Sequence, residues 1–439
     1  MKKLISVVIV VTLAAAVLLL LFSIKSKPID SLIHAPGRDG QNAQIWQVFE
    51  EAVGNDYVLK TPTDGGHRSA LIYVDLNNDG EDEIVAFYSK RGASENVYLH
   101  IFLPDGSGWK SLAGAESGYN ELKQVEFADI NGDGTNEIIV GWGLQSNKLL
   151  QQVNVYNVNY DTPEIKSVFH TKYSSFGVFD FDNDKKSELA VIYSDNPSET
   201  SVTKVQLFDF QNNKFSLVSS GEVDPMITTV SQIEFDYIRR MSCSRLYIDG
   251  YTSDGLMTTD VLSFAVGRKK LSRVFVKGET VCAVTKRSTN IGCEDINGDG
   301  VVEIPIQKNL EYRSLSSSVI EWSDIFENGI NSICRYFDNR ANDYYFRIPQ
   351  ELEKNAIPVI LSDGSTMRFY QYAKDENGEP KTVLLFEVKT EYDEAVNILS
   401  SQFRLIDTYK GKHYYYRIFE GGEEFGITKK MITTNLIFN

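Results

Sequence analysis

Histidine is scarce, cysteine scarcer still, and no run of basic residues occurs anywhere in this chain of 439 residues. Each shortage removes a class of function. The five histidines, at 34, 67, 100, 170 and 413, are scattered without the spacing of a zinc ligand set. Four cysteines in so long a chain do not make a disulfide scaffold. Cys282 and Cys293 flank a turn near 287–289, so a cross-strand bond and two free buried thiols are both open. Lys and Arg total 44 against 60 Asp and Glu, a formal charge of -16, and the absence of a basic face argues against a nucleic-acid partner. Gly-x-Ser-x-Gly, His-Glu-x-x-His and phosphate-binding glycine loops are missing as well. No catalytic residue is therefore assigned, and the chain reads as a non-enzyme. A glycosidase carboxylate pair is recognised only by its spatial separation, so a polysaccharide-active enzyme stays open as an alternative.

The N-terminus decides the expected compartment. After Lys2 and Lys3, an uninterrupted apolar stretch runs from Leu4 to Phe22. As a helix rising about 1.5 Å per residue, it is long enough for a hydrocarbon core of roughly 30 Å. The only Ala-x-Ala-like tripeptide, Ala14 to Ala16, lies inside the run, and no lipobox cysteine follows. Residues 1–27 are thus expected to be a transmembrane signal anchor, with the bulk of the chain extracytoplasmic. Secretion after signal cleavage is the alternative.

An acidic loop recurs through the middle of the chain. Four copies read Asp75-Leu-Asn77-Asn-Asp79-Gly80-Glu81-Asp-Glu83, Asp129-Ile-Asn131-Gly-Asp133-Gly134-Thr135-Asn-Glu137, Asp180-Phe-Asp182-Asn-Asp184-Lys185-Lys-Ser-Glu188 and Asp295-Ile-Asn297-Gly-Asp299-Gly300-Val301-Val-Glu303. Side-chain oxygens recur at positions 1, 3, 5 and 9, where alternate residues of a tight loop can face one hard cation. Glycine at position 6 permits the sharp turn. An EF-hand needs a bidentate Glu at position 12, which Ala86, Val140, Val191 and Ile306 occupy here; dockerin modules fail at the same position. Asp-Gly and Asn-Gly pairs also make hairpins without metal, so a turn-only reading stands beside the calcium one.

The strand, Asp-x-Asn-x-Asp-Gly-x-x-Glu loop, strand unit resembles the FG-GAP or VCBS repeat, over roughly residues 70 to 310. Proteins with that repeat, integrin α-chain heads among them, form β-propellers whose hairpin loops hold calcium. The resemblance implies up to four Ca²⁺ sites, with ligands from the side chains at positions 1, 3, 5 and 9 of each loop. A fifth ligand is implied from the carbonyls of Glu81, Thr135, Lys185 and Val301. Lys185 also replaces the position 6 glycine, so the loop at Asp180 is expected to be the weakest site. A fifth loop, around Asp249 to Gly255, is out of register and offers no clean ligand set.

Loop starts at 75, 129, 180, 249 and 295 have the period of propeller blades, each reading as about four short strands. The expected fold is mainly β: a propeller of about five blades, with six or seven possible, over residues 28–322. Asn42 to Val53 reads as an amphipathic helix flanking it, with Ile45, Trp46, Phe49 and Val53 on one face. Beyond residue 322 the acidic repeat stops. Residues 323–439 are expected to form a small α+β domain, with strands at Tyr344 to Ile348, Pro358 to Leu361, Met367 to Tyr372, Val383 to Val388 and His413 to Phe419, and a helix at Glu391 to Gln402. The expected function is binding or adhesion toward extracellular protein or carbohydrate ligands, with a structural role in an envelope assembly as a further alternative.

Overall fold

The computed structural model describes residues 41–438, apart from 93–94, 107, 195–201, 313–314, 327, 354, 375–376, 378–379 and 393–401. The apolar run from Leu4 to Phe22, and most of the helix expected at 391–402, lie outside the described residues. Among the described residues no helix is long and apolar enough to cross a membrane.

Among the described residues the molecule is built from six antiparallel sheets of four or five strands in series, with a two-stranded ribbon of Phe275–Val276 and Glu279–Thr280 between the fourth and the fifth. In the first, Tyr57–Leu59 and Leu71–Val74 both pair with Glu83–Lys90, followed by Val97–Asp105 and Gly108–Glu116. The second is the meander Glu121–Ala128, Glu137–Leu144, Asn147–Asn159 and Glu164–Lys172. The third contains Ser175–Phe179, Glu188–Ser194, Thr203–Gln211 and Lys214–Glu222; the fourth contains Thr229–Ile238, Cys243–Tyr251, Met257–Ala265 and Lys270–Arg273. The fifth runs Ile304–Tyr312, Leu315–Phe326, Gly329–Asn339 and Tyr344–Ile348, with Leu436–Phe438 added at its edge. In the sixth, Ala356–Ile360, Thr366–Lys374 and Pro380–Glu391 are followed across the sheet by Lys412–Ile418 and then Arg404–Tyr409.

Burial on both faces explains why the strands after the acidic loops read as continuous apolar runs. Glu83–Lys90 is buried at every position but its last. Its successive side chains serve opposite neighbours, as the period of two requires. Val85 and Phe87 pack on Ile138, Val140 and Trp142 of the second sheet. Ile84, Ala86 and Tyr88 instead meet Ile45, Trp46 and Phe49 of the helix Gln41–Val53, which flanks the first sheet as its apolar face predicts. The alternation then passes down the series. Ile139 joins Leu189 and Val191 of the third sheet, Ala190 and Ile192 join Leu246 and Ile248 of the fourth, and Tyr247 joins Ile304 and Ile325 of the fifth. Full burial of each such side chain contributes about 1.5–3 kcal/mol. Inner strands come very close: a Cβ at Gly177 would lie 2.6 Å from the Phe235 ring.

The architecture is β-propeller-like, with six sheets where five loops suggested five. The fourth sheet makes its first turn through the short helix Arg239–Met241 and the sixth through 361–365, so neither carries the acidic motif. No hydrophobic cluster among the described residues joins the sixth sheet to the first. The domain boundary expected between residues 322 and 323 falls inside the strand Leu315–Phe326, which pairs on both sides within the fifth sheet. The change of texture there marks the loss of the acidic loop, while the meander continues. The C-terminal strand expectations at 344–348, 358–361, 367–372, 383–388 and 413–419 all overlap strands of the fifth and sixth sheets, with Leu361 and Phe419 falling just past the strand ends. Two short helices, Glu420–Glu424 and Lys429–Asn435, follow them. All four cysteines are buried free thiols, which decides against the Cys282–Cys293 bond.

Candidate metal centre

The four acidic loops share one backbone trace. Positions 4 and 6 both lie in the left-handed region: Asn78 and Gly80 at φ 59° and 90°, Gly132 and Gly134 at 78° and 88°, Asn183 and Lys185 at 61° and 76°, Gly298 and Gly300 at 74° and 83°. Position 4 is Asn or Gly in every copy, the residues that tolerate this region best. Lys185 is the exception at position 6 and carries its Cβ at a strained angle.

Three hydrogen bonds recur in all four loops. The position 6 amide donates to the position 1 carboxylate, from Gly80 to Asp75 at 2.9 Å, Gly134 to Asp129 at 3.0 Å, Lys185 to Asp180 at 2.9 Å and Gly300 to Asp295 at 2.8 Å. The position 7 amide donates to the position 5 carboxylate at 2.9 Å in each copy, from Glu81, Thr135, Lys186 and Val301 to Asp79, Asp133, Asp184 and Asp299. Lys186, not Lys185, is therefore the position 7 residue of the third loop, and the carbonyl assignment moves to it. The position 2 amide donates to the position 9 glutamate, from Leu76, Ile130, Phe181 and Ile296 to Glu83, Glu137, Glu188 and Glu303 at 2.8, 2.9, 2.6 and 2.9 Å. Leu76, Ile130 and Phe181 are themselves buried, anchoring the loop to the core by a residue that the ligand spacing does not single out.

The position 9 glutamates are at most 3 % exposed. Where position 3 is asparagine, its Nδ2 reaches the glutamate, at 3.0 Å from Asn77 and 2.7 Å from Asn297, and from Asn131 as well. In the third loop position 3 is Asp182, so a second carboxylate takes the place of that amide. Asp180, Asp182 and Glu188 each place an oxygen within 4.8 Å of the others, a span that one ion with ligands at about 2.3–2.6 Å can bridge. Asp182 Oδ1 is buried and has no hydrogen-bond partner among the described residues. Burial raises the pKa of Glu83 and Glu137 and pushes Glu188 up to about 8 and Glu303 to about 7, and nearby aspartates add to each rise. Buried acids crowded by other acids want a cation, and the residues present fit calcium by donor type, spacing and charge.

The fourth sheet supplies an internal comparison. Arg245 precedes Leu246, the residue that packs toward the third sheet, just as Glu188 precedes Leu189. A buried arginine thus stands where the loop-bearing sheets put a buried glutamate. Its Nη1 donates to Ile325 O at 3.0 Å and to Tyr247 Oη at 3.2 Å, and Tyr247 donates to Asp236 Oδ2 at 2.8 Å. Without an acidic loop, the chain carries its own fixed cation. The out-of-register Asp249 has a different place altogether. It lies within the strand Cys243–Tyr251, buried against Arg287 at 2.7 Å, and is a core residue.

Neighbouring loops also touch. Asn136 N donates to Leu76 O at 2.6 Å, Ser187 N to Asp129 O at 2.9 Å, and Asn78 Nδ2 to Gly134 O at 2.5 Å. The first three loops therefore lie side by side along one end of their sheets.

Comparison with known proteins agrees with this repeat geometry. An FG-GAP-like repeat model matches residues 75–140, which hold the first two loops and the strands between them. No curated protein matches the sequence. The crystal structure of a protein from Lactobacillus plantarum aligns with a TM-score of 0.34 at 8% identity, covering 74% of this chain and 86% of that one. The stretch 75–140 is therefore similar to an FG-GAP-like repeat, in keeping with the loop-and-strand unit seen there.

Proposed function

We propose that this protein is an extracytoplasmic, calcium-stabilised binding module, anchored by its N-terminal apolar segment and engaging protein or carbohydrate ligands. One observation carries the calcium part of the reading. Four loops fold in one hydrogen-bonded trace around four buried glutamates, and the fourth sheet, one of the two that lack the loop, holds Arg245 at the glutamate position. When bound, calcium would neutralise carboxylates that otherwise repel, and ligand binding to the folded state alone adds stability by mass action. Asp75, Asp129, Asp180 and Asp295 would hold it together with the residues at positions 3, 5 and 9. The chain's own amides keep those carboxylates aimed inward before any ion arrives. The run from Leu4 to Phe22 supports the anchor and the outer compartment, where calcium is plentiful. Binding in place of catalysis is supported by the absence of a nucleophile motif, and loops presented on a rigid stack of sheets are suited to recognition.

Thermal unfolding of the purified chain with millimolar calcium, with chelator and with magnesium tests the reading. A calcium-specific rise in Tm, diminished in Asp129→Ala and Asp295→Ala, is the expected result. No rise and no retained metal would leave the loops as turns. A glycan panel then separates binding from turnover: retention without shortening fits the binder, and shortened products identify an enzyme.

A further inference from the structure

We propose that Asp209, which lies outside the nine-residue motif, completes the cation site of the third loop and makes it the strongest of the four. This rests on the reading of the loops as cation sites. Asp209 follows Phe208, whose partner across the strands is Leu189, so it stands opposite Glu188. It is only 5 % exposed. Gln211 Nε2 donates to its Oδ2, while Oδ1 is buried with no hydrogen-bond partner among the described residues. Its charge bears directly on Glu188 and Asp182. Asp209 Oδ1 and Asp182 Oδ1 are thus both buried without a hydrogen-bond partner among the described residues. The oxygens already within 4.8 Å of one another are those of Asp180, Asp182 and Glu188, to which Asp209 would be added from the neighbouring strand.

The same position in the other sheets shows what is particular here. It is held by Leu103 in the first sheet, beyond the pair Ile84–Phe102, and by Asn157 in the second, which donates to Glu137 at 3.1 Å. In the fifth it is Asp324, but the positive charge of Arg245 faces that carboxylate. Of the four loops, the third combines an aspartate at position 3 with a second, buried aspartate opposite position 9; the Lys186 ammonium also bears on Asp209. Asp180, Asp182, Asp184, Glu188 and Asp209 give it five carboxylates, and carboxylate count with rigidity is what tunes calcium affinity. Lys186 Nζ lies 3.3 Å from Asp184 Oδ2, and Lys269 acts on Asp182. Both are long side chains that can turn their ammonium to water. The strained Lys185 is exposed, and on this proposal the loop ranks strongest where the sequence suggested weakest.

Calorimetric titration of the full chain, stripped with chelator and then given Ca²⁺, tests the assignment. Asp209→Asn keeps the shape and removes the charge, and it is expected to weaken the tightest binding step roughly tenfold or more while the remaining steps persist. Asp180→Asn is expected to abolish that same tight step. Wild-type binding with an unaltered tight step in folded Asp209→Asn overturns the role of Asp209. If that variant does not fold, a tight step retained in Asp180→Asn overturns the assignment instead. A wild-type chain that takes up no Ca²⁺ overturns the cation-loop reading itself, a distinguishable result.

Discussion

Arg245 and Asp236 face each other across the first two strands of the fourth sheet, and Tyr247 links them by hydrogen-bonding to both. Val302 N, from the loop of the next sheet, also donates to Asp236 at 3.1 Å. The fixed cation of the fourth sheet thus orders the neighbouring acidic loop. Removing it in Arg245→Met leaves Asp236 buried without its positive partner. We expect a loss of about 3–5 kcal/mol in urea unfolding, which calcium does not restore. An unchanged midpoint would mean that Tyr247 and Val302 suffice for Asp236.

A second buried pair, Asp249 and Arg287, joins the fourth sheet to the segment entering the fifth. Asp249 also accepts from Cys293 N at 2.6 Å and from Thr259 Oγ1 at 2.5 Å. Asp249→Asn is expected to cost about 3–5 kcal/mol by stranding the guanidinium. The double variant with Arg287→Met should lose less than the sum of the single losses. Strict additivity in the double-mutant cycle would show the two groups acting separately.

Lys185 holds a left-handed φ of 76° that its three counterparts meet with glycine. Lys185→Gly should raise stability by about 1 kcal/mol, since relief of the Cβ strain outweighs the added freedom of the unfolded chain. Denaturant unfolding in the presence of chelator isolates this effect from metal affinity. A lower midpoint in the variant would refute the strain.

His100 stacks on Phe102 with centroids 4.7 Å apart and bonds Ser111 Oγ through Nε2 at 2.8 Å. Burial, with Lys90 nearby, lowers its pKa to about 4. The folded value lies below the unfolded one, so folding favours the neutral ring. Its contribution is complete above about pH 6.5 and is lost as pH falls toward 4, on the order of 3 kcal/mol in full. Stability measured at pH 7 and 4.5 should fall less in His100→Gln than in wild type. Equal falls would assign the acid sensitivity entirely to other groups.

The loops were legible because their chemistry is local: nine consecutive residues supply the ligands, the turn and the strand that follows. Position 4 gave its own signal, Asn or Gly in all four copies, and a search for left-handed residues would have found it. Arg245 and Asp209 were not legible. Each acquires meaning only from a register with a distant strand, and neither belongs to a spacing pattern. Sheet count was legible only as a range, five with six or seven possible, because the fourth and sixth sheets keep the meander and discard the loop that marked it. Asp249 was misleading, since Asp-Gly in a buried strand looks in sequence like Asp-Gly in a turn.

Leu436–Phe438 pairs with Tyr344–Ile348, so the fifth sheet reaches its full width only after the whole of the sixth has been made. Sheets one to four can each be completed in order as the polypeptide leaves the ribosome. The last two cannot be finished independently. During synthesis the edge at Tyr344–Ile348 waits open, an invitation to the wrong strand, until residues 436–438 arrive to cover it.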